Sequence, residues 1–185
     1  MKRHILLLSC LLLGSVTGGL RGAVAGDAPA NPSFEALDSQ TALPAHWTPW
    51  NAETHAAYTL ARACDGVASL LLTDDSPAMG HGVRSELVPV TPGKTYLGSG
   101  SLYIEALHSG AFSIYLEFWN KSGIRLSNFS TAADKQGQWV KLNVRASAPE
   151  GATSATLLCY GSSATVGTAC FDAMSITAAP SAAAK

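Results

Sequence analysis

The stretch Ile114-Tyr115-Leu116-Glu117-Phe118-Trp119 holds the residues of this chain whose types and spacing best suit chemistry. Side chains alternate faces along a strand, so Ile114, Leu116 and Phe118 are expected to enter a core. Tyr115, Glu117 and Trp119 then share the opposite face. Two large aromatics around a carboxylate, held on a rigid sheet, suit a sugar ring: its C–H faces stack on the rings and its hydroxyls hydrogen-bond to the polar group. The same pattern also describes a half-buried strand whose second face is covered by a loop or another sheet.

The parity argument extends to neighbouring segments. With Tyr96 inward, Gly98, Gly100, Leu102 and Ile104 follow it, and Ser99, Ser101, Tyr103 and Glu105 face outward. Lys141, Asn143 and Arg145 alternate with Val140, Leu142 and Val144. The expectation is a single sheet surface on which Tyr103, Tyr115 and Trp119 stack on sugar. Glu105, Glu117, Asn143 and Arg145 would read its hydroxyls there, with Trp50 and Tyr58 at the rim.

Catalysis finds little support. The chain has no Gly-x-Ser-x-Gly elbow, no His-Glu-x-x-His and no paired Cys-x-x-Cys units. His46, His55, His81 and His108 are scattered without ligand spacing. Glu105 and Glu117 would imitate a glycosidase pair only with their carboxyls about 5–10 Å apart. Binding without catalysis is the reading; a protein–protein or adhesion module using the same aromatic face is the alternative, and a small hydrolase or lyase ranks below it.

The elements that must carry this face read as β structure. Helical periodicity is nearly absent, and short alternating runs are separated by Gly, Pro, Asp and Ser. Strands are expected at 57–62, 69–73, 83–90, 95–105, 111–119, 139–146, 155–160 and 169–177, with a turn at Thr91-Pro92-Gly93-Lys94. Eight or more short strands in one domain argue for an all-β, jelly-roll β-sandwich.

The N-terminal residues look like a secretory signal: Lys2 and Arg3, an apolar run from Ile5 to Leu13, then Ala23-Val24-Ala25 as a small-residue cleavage site. The domain is expected to span 26–177, followed by a low-complexity tail at 178–185, and the protein to be secreted or periplasmic. The apolar run is short for a membrane span, which needs about 20 residues. Removing 1–25 takes Lys2, Arg3 and Arg21, leaving nine basic against 13 acidic residues. That balance disfavours nucleic acid and anionic membranes as partners.

Cys64, Cys159 and Cys170 lie beyond the signal, and export permits a disulfide. If the segments ending at Cys159 and starting at Cys170 form a hairpin, these two cysteines come within bonding reach and Cys64 stays free. Pairing of Cys64 with Cys170 is the alternative.

Seven motifs, in order along nearly the whole domain, carry a family resemblance. They are Asn31-Pro32-Ser33-Phe34-Glu35, Leu43-Pro44-Ala45-His46-Trp47, Asp65-Gly66-Val67-Ala68-Ser69-Leu70, Val90-Thr91-Pro92-Gly93-Lys94-Thr95-Tyr96, Trp139-Val140-Lys141-Leu142 with Ala148-Pro149-Glu150-Gly151-Ala152, and Cys170-Phe171-Asp172. Together they resemble CenC-like carbohydrate-binding modules, with Ser33 where glycine is usual and Ala173 where the aspartate is often repeated. The resemblance implies a galactose-binding-like jelly roll that binds an oligo- or polysaccharide without hydrolysing it; the protein is expected to be a monomer. The resemblance also implies a structural calcium held by Glu35, Asp65 and Asp172, supplemented by loop carbonyls. On physical grounds Trp47, Tyr96 and Trp139, at strand ends beside turns, are expected to fill the core rim.

Overall fold

The computed structural model describes residues 28–180. The proposed signal at 1–25 and most of the tail lie outside the described residues. Within them the chain forms eleven strands: β1 (Trp47–Pro49), β2 (His55–Thr59), β3 (Ser69–Asp74), β4 (His81–Ser85), β5 (Val88–Pro89), β6 (Thr95–Ser109), β7 (Phe112–Trp119), β8 (Arg125–Ala133), β9 (Trp139–Ser147), β10 (Ser154–Gly161) and β11 (Val166–Ala178). They build two antiparallel sheets. One runs β1-β4-β10-β7-β8, with β5 also pairing β10; the other runs β2-β3-β11-β6-β9. This is the β-sandwich that the alternating pattern calls for.

The inner faces are apolar because every second residue of the paired strands is. Ile114, Leu116 and Phe118 of β7 are fully buried, as are Leu70 and Leu72 of β3 and Phe171 and Ile176 of β11. Tyr96 of β6 meets Phe118 of β7 at 6.2 Å, and Phe112 meets Phe171 at 6.3 Å, so aromatic edges bridge the two sheets. The turn at Thr91–Lys94 forms as expected: Gly93 takes φ 78°, and the Tyr96 hydroxyl accepts the Thr91 N–H at 2.8 Å. Trp47 and Tyr96 do fill the core. Trp139 does not; it lies half-buried on the outer face of its sheet, edge-on to Tyr103 at 5.6 Å.

The cysteine pairing is corrected. β10 and β11 do not form a hairpin: the chain crosses between sheets at 162–165, placing Cys159 in the core and Cys170 in the other sheet. Cys64, Cys159 and Cys170 are all free thiols, with Cys64 exposed. Burial pushes the Cys159 thiol well up. Burial, followed by the charge of Glu105, raises Cys170 to about 11.

Candidate functional site

β6 and β7 belong to different sheets, so their outward faces lie on opposite sides of the sandwich. The single surface expected from parity therefore divides in two. Tyr103, Glu105, Asn143 and Arg145 occupy the outer face of the β2-β3-β11-β6-β9 sheet, while Tyr115, Glu117 and Trp119 occupy that of the other. Glu105 and Glu117 cannot act as a pair across the thickness of the core.

The first of these surfaces is largely engaged with itself. The loop after β2 folds over it, and the Arg62 guanidinium sits 3.8 Å above the Tyr103 ring while bonding Glu105 at 3.2 Å. Arg145 lies further along, beside Gly93, Lys94 and the end of β11. Tyr58, on β2, belongs to this sheet as well.

Around Glu117 the geometry is different. Its side chain is fully buried although it points away from the core, and four hydrogen bonds reach it. Oε2 accepts from Arg84 Nε at 2.7 Å and from Thr156 Oγ1 at 3.0 Å. Oε1 accepts from Arg125 at 2.6 Å and from a second Arg84 nitrogen at 3.3 Å. A carboxylate has about four lone-pair sites. Glu117 is therefore saturated by protein donors, and its expected role as an acceptor of sugar hydroxyls is corrected. Burying a carboxylate costs several kcal/mol unless it is paired and hydrogen-bonded; β4, β8 and β10 each supply part of that pairing.

Trp119 belongs to the same assembly. Its indole N–H donates to Thr156 Oγ1 at 2.9 Å, which in turn donates to Glu117. The Arg84 and Arg125 guanidinium carbons lie 4.9 and 6.0 Å from its ring centroid. Trp119 thus braces the arginines from one side rather than standing free as a platform.

The open aromatic surface is its neighbour. Trp50, just after β1, meets Tyr160 of β10 edge-on at 5.2 Å, and Tyr160 meets Tyr115 of β7 at 5.7 Å. These three rings, with Glu117, Arg125, Asn128 and Leu158, line a recess of about 150 Å³. Trp50 is 38% exposed. Its position is fixed by its own N–H bonded to the Gly82 carbonyl at 2.8 Å, and by the Asn51 amide donating to the Gly80 carbonyl at 2.9 Å. Tyr160 lies flat along β4 because Gly82 has no side chain: a Cβ there would come within 2.9 Å of the Tyr160 ring. Burial, then the Tyr115 neighbour, raises the Tyr160 phenol, so it stays neutral and able to donate.

The residues that complete this recess were hidden from parity. Thr156-Leu157-Leu158-Cys159-Tyr160 is apolar at most positions of both faces, so alternation gives Tyr160 no direction. Arg84 and Arg125 had one indirect signal: a carboxylate flanked by core positions must find cations on adjacent strands.

The proposed calcium ligands do converge, around the loop at 62–68. Their oxygens, however, face hydrogen-bond donors of the protein. Asp172 accepts the Cys64 and Asp65 N–H groups at 2.6 and 2.8 Å and that of Ala173 at 2.6 Å. Glu35 Oε1 accepts from Val67 and Ala68 at 3.0 and 3.1 Å, and Asp65 accepts from Ser33 Oγ at 2.7 Å. Burial raises Asp172 despite these donors. Among the described residues no group of three or more His, Cys, Asp or Glu side chains is arranged to hold a metal ion. Calcium needs six to eight oxygens at about 2.3–2.6 Å, and these carboxylates as arranged do not form such a shell. They staple the loop to the first and last segments of the domain instead.

No protein-family model matches the chain, and no curated protein matches it. Solved structures do share its fold. The CBM22-1 xylan-binding domain of Paenibacillus barcinonensis Xyn10C superposes with a TM-score of 0.61 at 21% identity, covering 85% of this chain and 98% of that one. A xylan-binding domain from CBM 22 superposes at 0.55 and 20% identity over 86% and 99% of the two chains. The arabinose-bound MgGH51 α-L-arabinofuranosidase reaches 0.63 at 18% identity, but this chain spans only 26% of its length. A bacteriophage CBA120 tailspike domain matches likewise at 0.63, with 21% of its length spanned. At these identities the likeness concerns the fold.

Proposed function

We propose that this protein is a secreted or periplasmic, monomeric, non-catalytic carbohydrate-binding module, and that its site is the recess beside Trp50. The observation that carries the reading is the run of three rings, Trp50, Tyr160 and Tyr115, leading into a recess lined by Arg125 and Asn128. An exposed aromatic ring holds the apolar face of a sugar, and the polar groups at one end of the recess orient its hydroxyls. Glu117, the one carboxylate lining the recess, is fully hydrogen-bonded by its neighbours and so is not free to act as a general acid or base there. That xylan-binding domains share the fold makes xylan the first polymer to try.

The test is titration of the full chain with xylan and a panel of soluble glycans. Trp50→Ala is expected to weaken binding by about tenfold or more, equivalent to about 1.4 kcal/mol, with an unchanged melting temperature. Binding that survives Trp50→Ala undiminished would move the site elsewhere; absence of any glycan binding would leave a protein partner for the aromatic surface.

No part of this proposal runs through calcium. With Asp172 and Glu35 supplied by N–H donors, melting curves in calcium and in chelator are expected to coincide. A rise of several degrees with calcium would show the 62–68 loop rearranging around an ion, because a ligand of the folded state raises its melting temperature by mass action.

A further inference from the structure

The recess presents hydrogen-bond donors and a surplus of positive charge. Two guanidinium groups meet one carboxylate, Glu117, whose four acceptor positions are filled. Of the five N–H groups that each arginine carries, Arg84 uses two and Arg125 one on Glu117. The Arg125 side chain is 42% exposed and that of Arg84 23%, against 0% for Glu117. The unused donors of Arg125 therefore edge the recess, next to Asn128, which is the direct cross-strand partner of Glu117.

From this charge count we infer that the glycan bound here is acidic: a polysaccharide whose sugars carry carboxylates, as uronic acids do. The inference rests on the glycan reading above and adds its substrate class. A pyranose ring on Trp50, Tyr160 and Tyr115 brings a ring carboxylate toward the Arg125 fork, which matches a carboxylate with two parallel N–H bonds. A neutral sugar leaves that excess charge uncompensated and offers only hydroxyls to a donor-rich rim. The overall acidity of the chain does not oppose this, because charges beyond about 8 Å are largely screened at physiological salt, whereas Arg125 lines the recess itself. Trp119 keeps both guanidinium groups in place, stacked beside its ring.

The experiment compares three probes on the full chain: polygalacturonate, the same polymer after chemical reduction of its carboxyls, and neutral xylan. Polygalacturonate is expected to bind at least about tenfold more tightly than its reduced form, the difference of one charge-assisted contact, and to weaken as salt rises. Arg125→Gln is expected to bring that ratio close to one, and Arg125→Lys to keep only part of it, since lysine retains the charge but loses the fork. Arg125 is exposed enough for both variants to fold. Equal affinity for the native and reduced polymers would overturn the acidic-glycan inference while leaving the glycan site standing. Binding to none of the three would overturn both.

Discussion

Phe118→Ala is expected to lower the free energy of unfolding by about 3–5 kcal/mol, the range for deleting a fully buried aromatic ring. Phe118 has no exposed surface and packs against Tyr96 across the core at 6.2 Å and Phe129 at 6.4 Å. Trp119→Ala, one residue on, removes a larger ring from the outer face and is expected to cost clearly less, about 1–2 kcal/mol, for one hydrogen bond and two cation–π contacts. Its larger effect should fall on glycan affinity, because Arg84 and Arg125 lose the ring that braces them. Denaturant unfolding and glycan titration of both variants decide it. If Trp119→Ala destabilises as much as Phe118→Ala while binding is untouched, Trp119 belongs to the core and the placement of the site is wrong.

Glu117→Ala is expected to destabilise the fold by about 3 kcal/mol, through loss of the charge that four donors surround. Thr156 would keep a buried hydroxyl without its acceptor, and the two arginines would face each other unneutralised. The cost stays below that of a wholly buried ion pair because Arg125 can turn to water. Replacing Glu117 and Arg84 together by methionine is expected to recover part of the loss, since a buried pair exchanged for apolar volume is often neutral. Chemical denaturation of the wild type, the single and the double variant checks this ordering. A carboxylate that merely contacted sugar would predict the opposite: an unchanged stability for Glu117→Ala and a loss confined to binding.

The sequence alone determined which residues face inward on the strands that alternate cleanly. Ile114, Leu116 and Phe118, and likewise Leu102 and Ile104, are buried as their alternation requires, and the all-β sandwich follows from many such runs between turn residues. Alternation has a period of two residues and is a local property, so one strand is enough to reveal it. β8 escaped notice for the same reason: most of Arg125–Ala133 is exposed on both faces at a sheet edge, and no apolar period marks it. Which sheet a strand joins is not local. It depends on pairing between segments far apart in the chain, such as β10 with β4 and β7, and neither residue types nor spacing encode that order. That order alone separated Tyr103 from Tyr115, parted Cys159 from Cys170, and brought Trp50, Tyr160, Arg84 and Arg125 to Tyr115 and Glu117. It also changed the role of Glu117. A carboxylate with an outward parity reads as a ligand contact, but neighbouring strands delivered two arginines and a threonine to it, and a buried charge must be satisfied by whatever the tertiary structure places within reach.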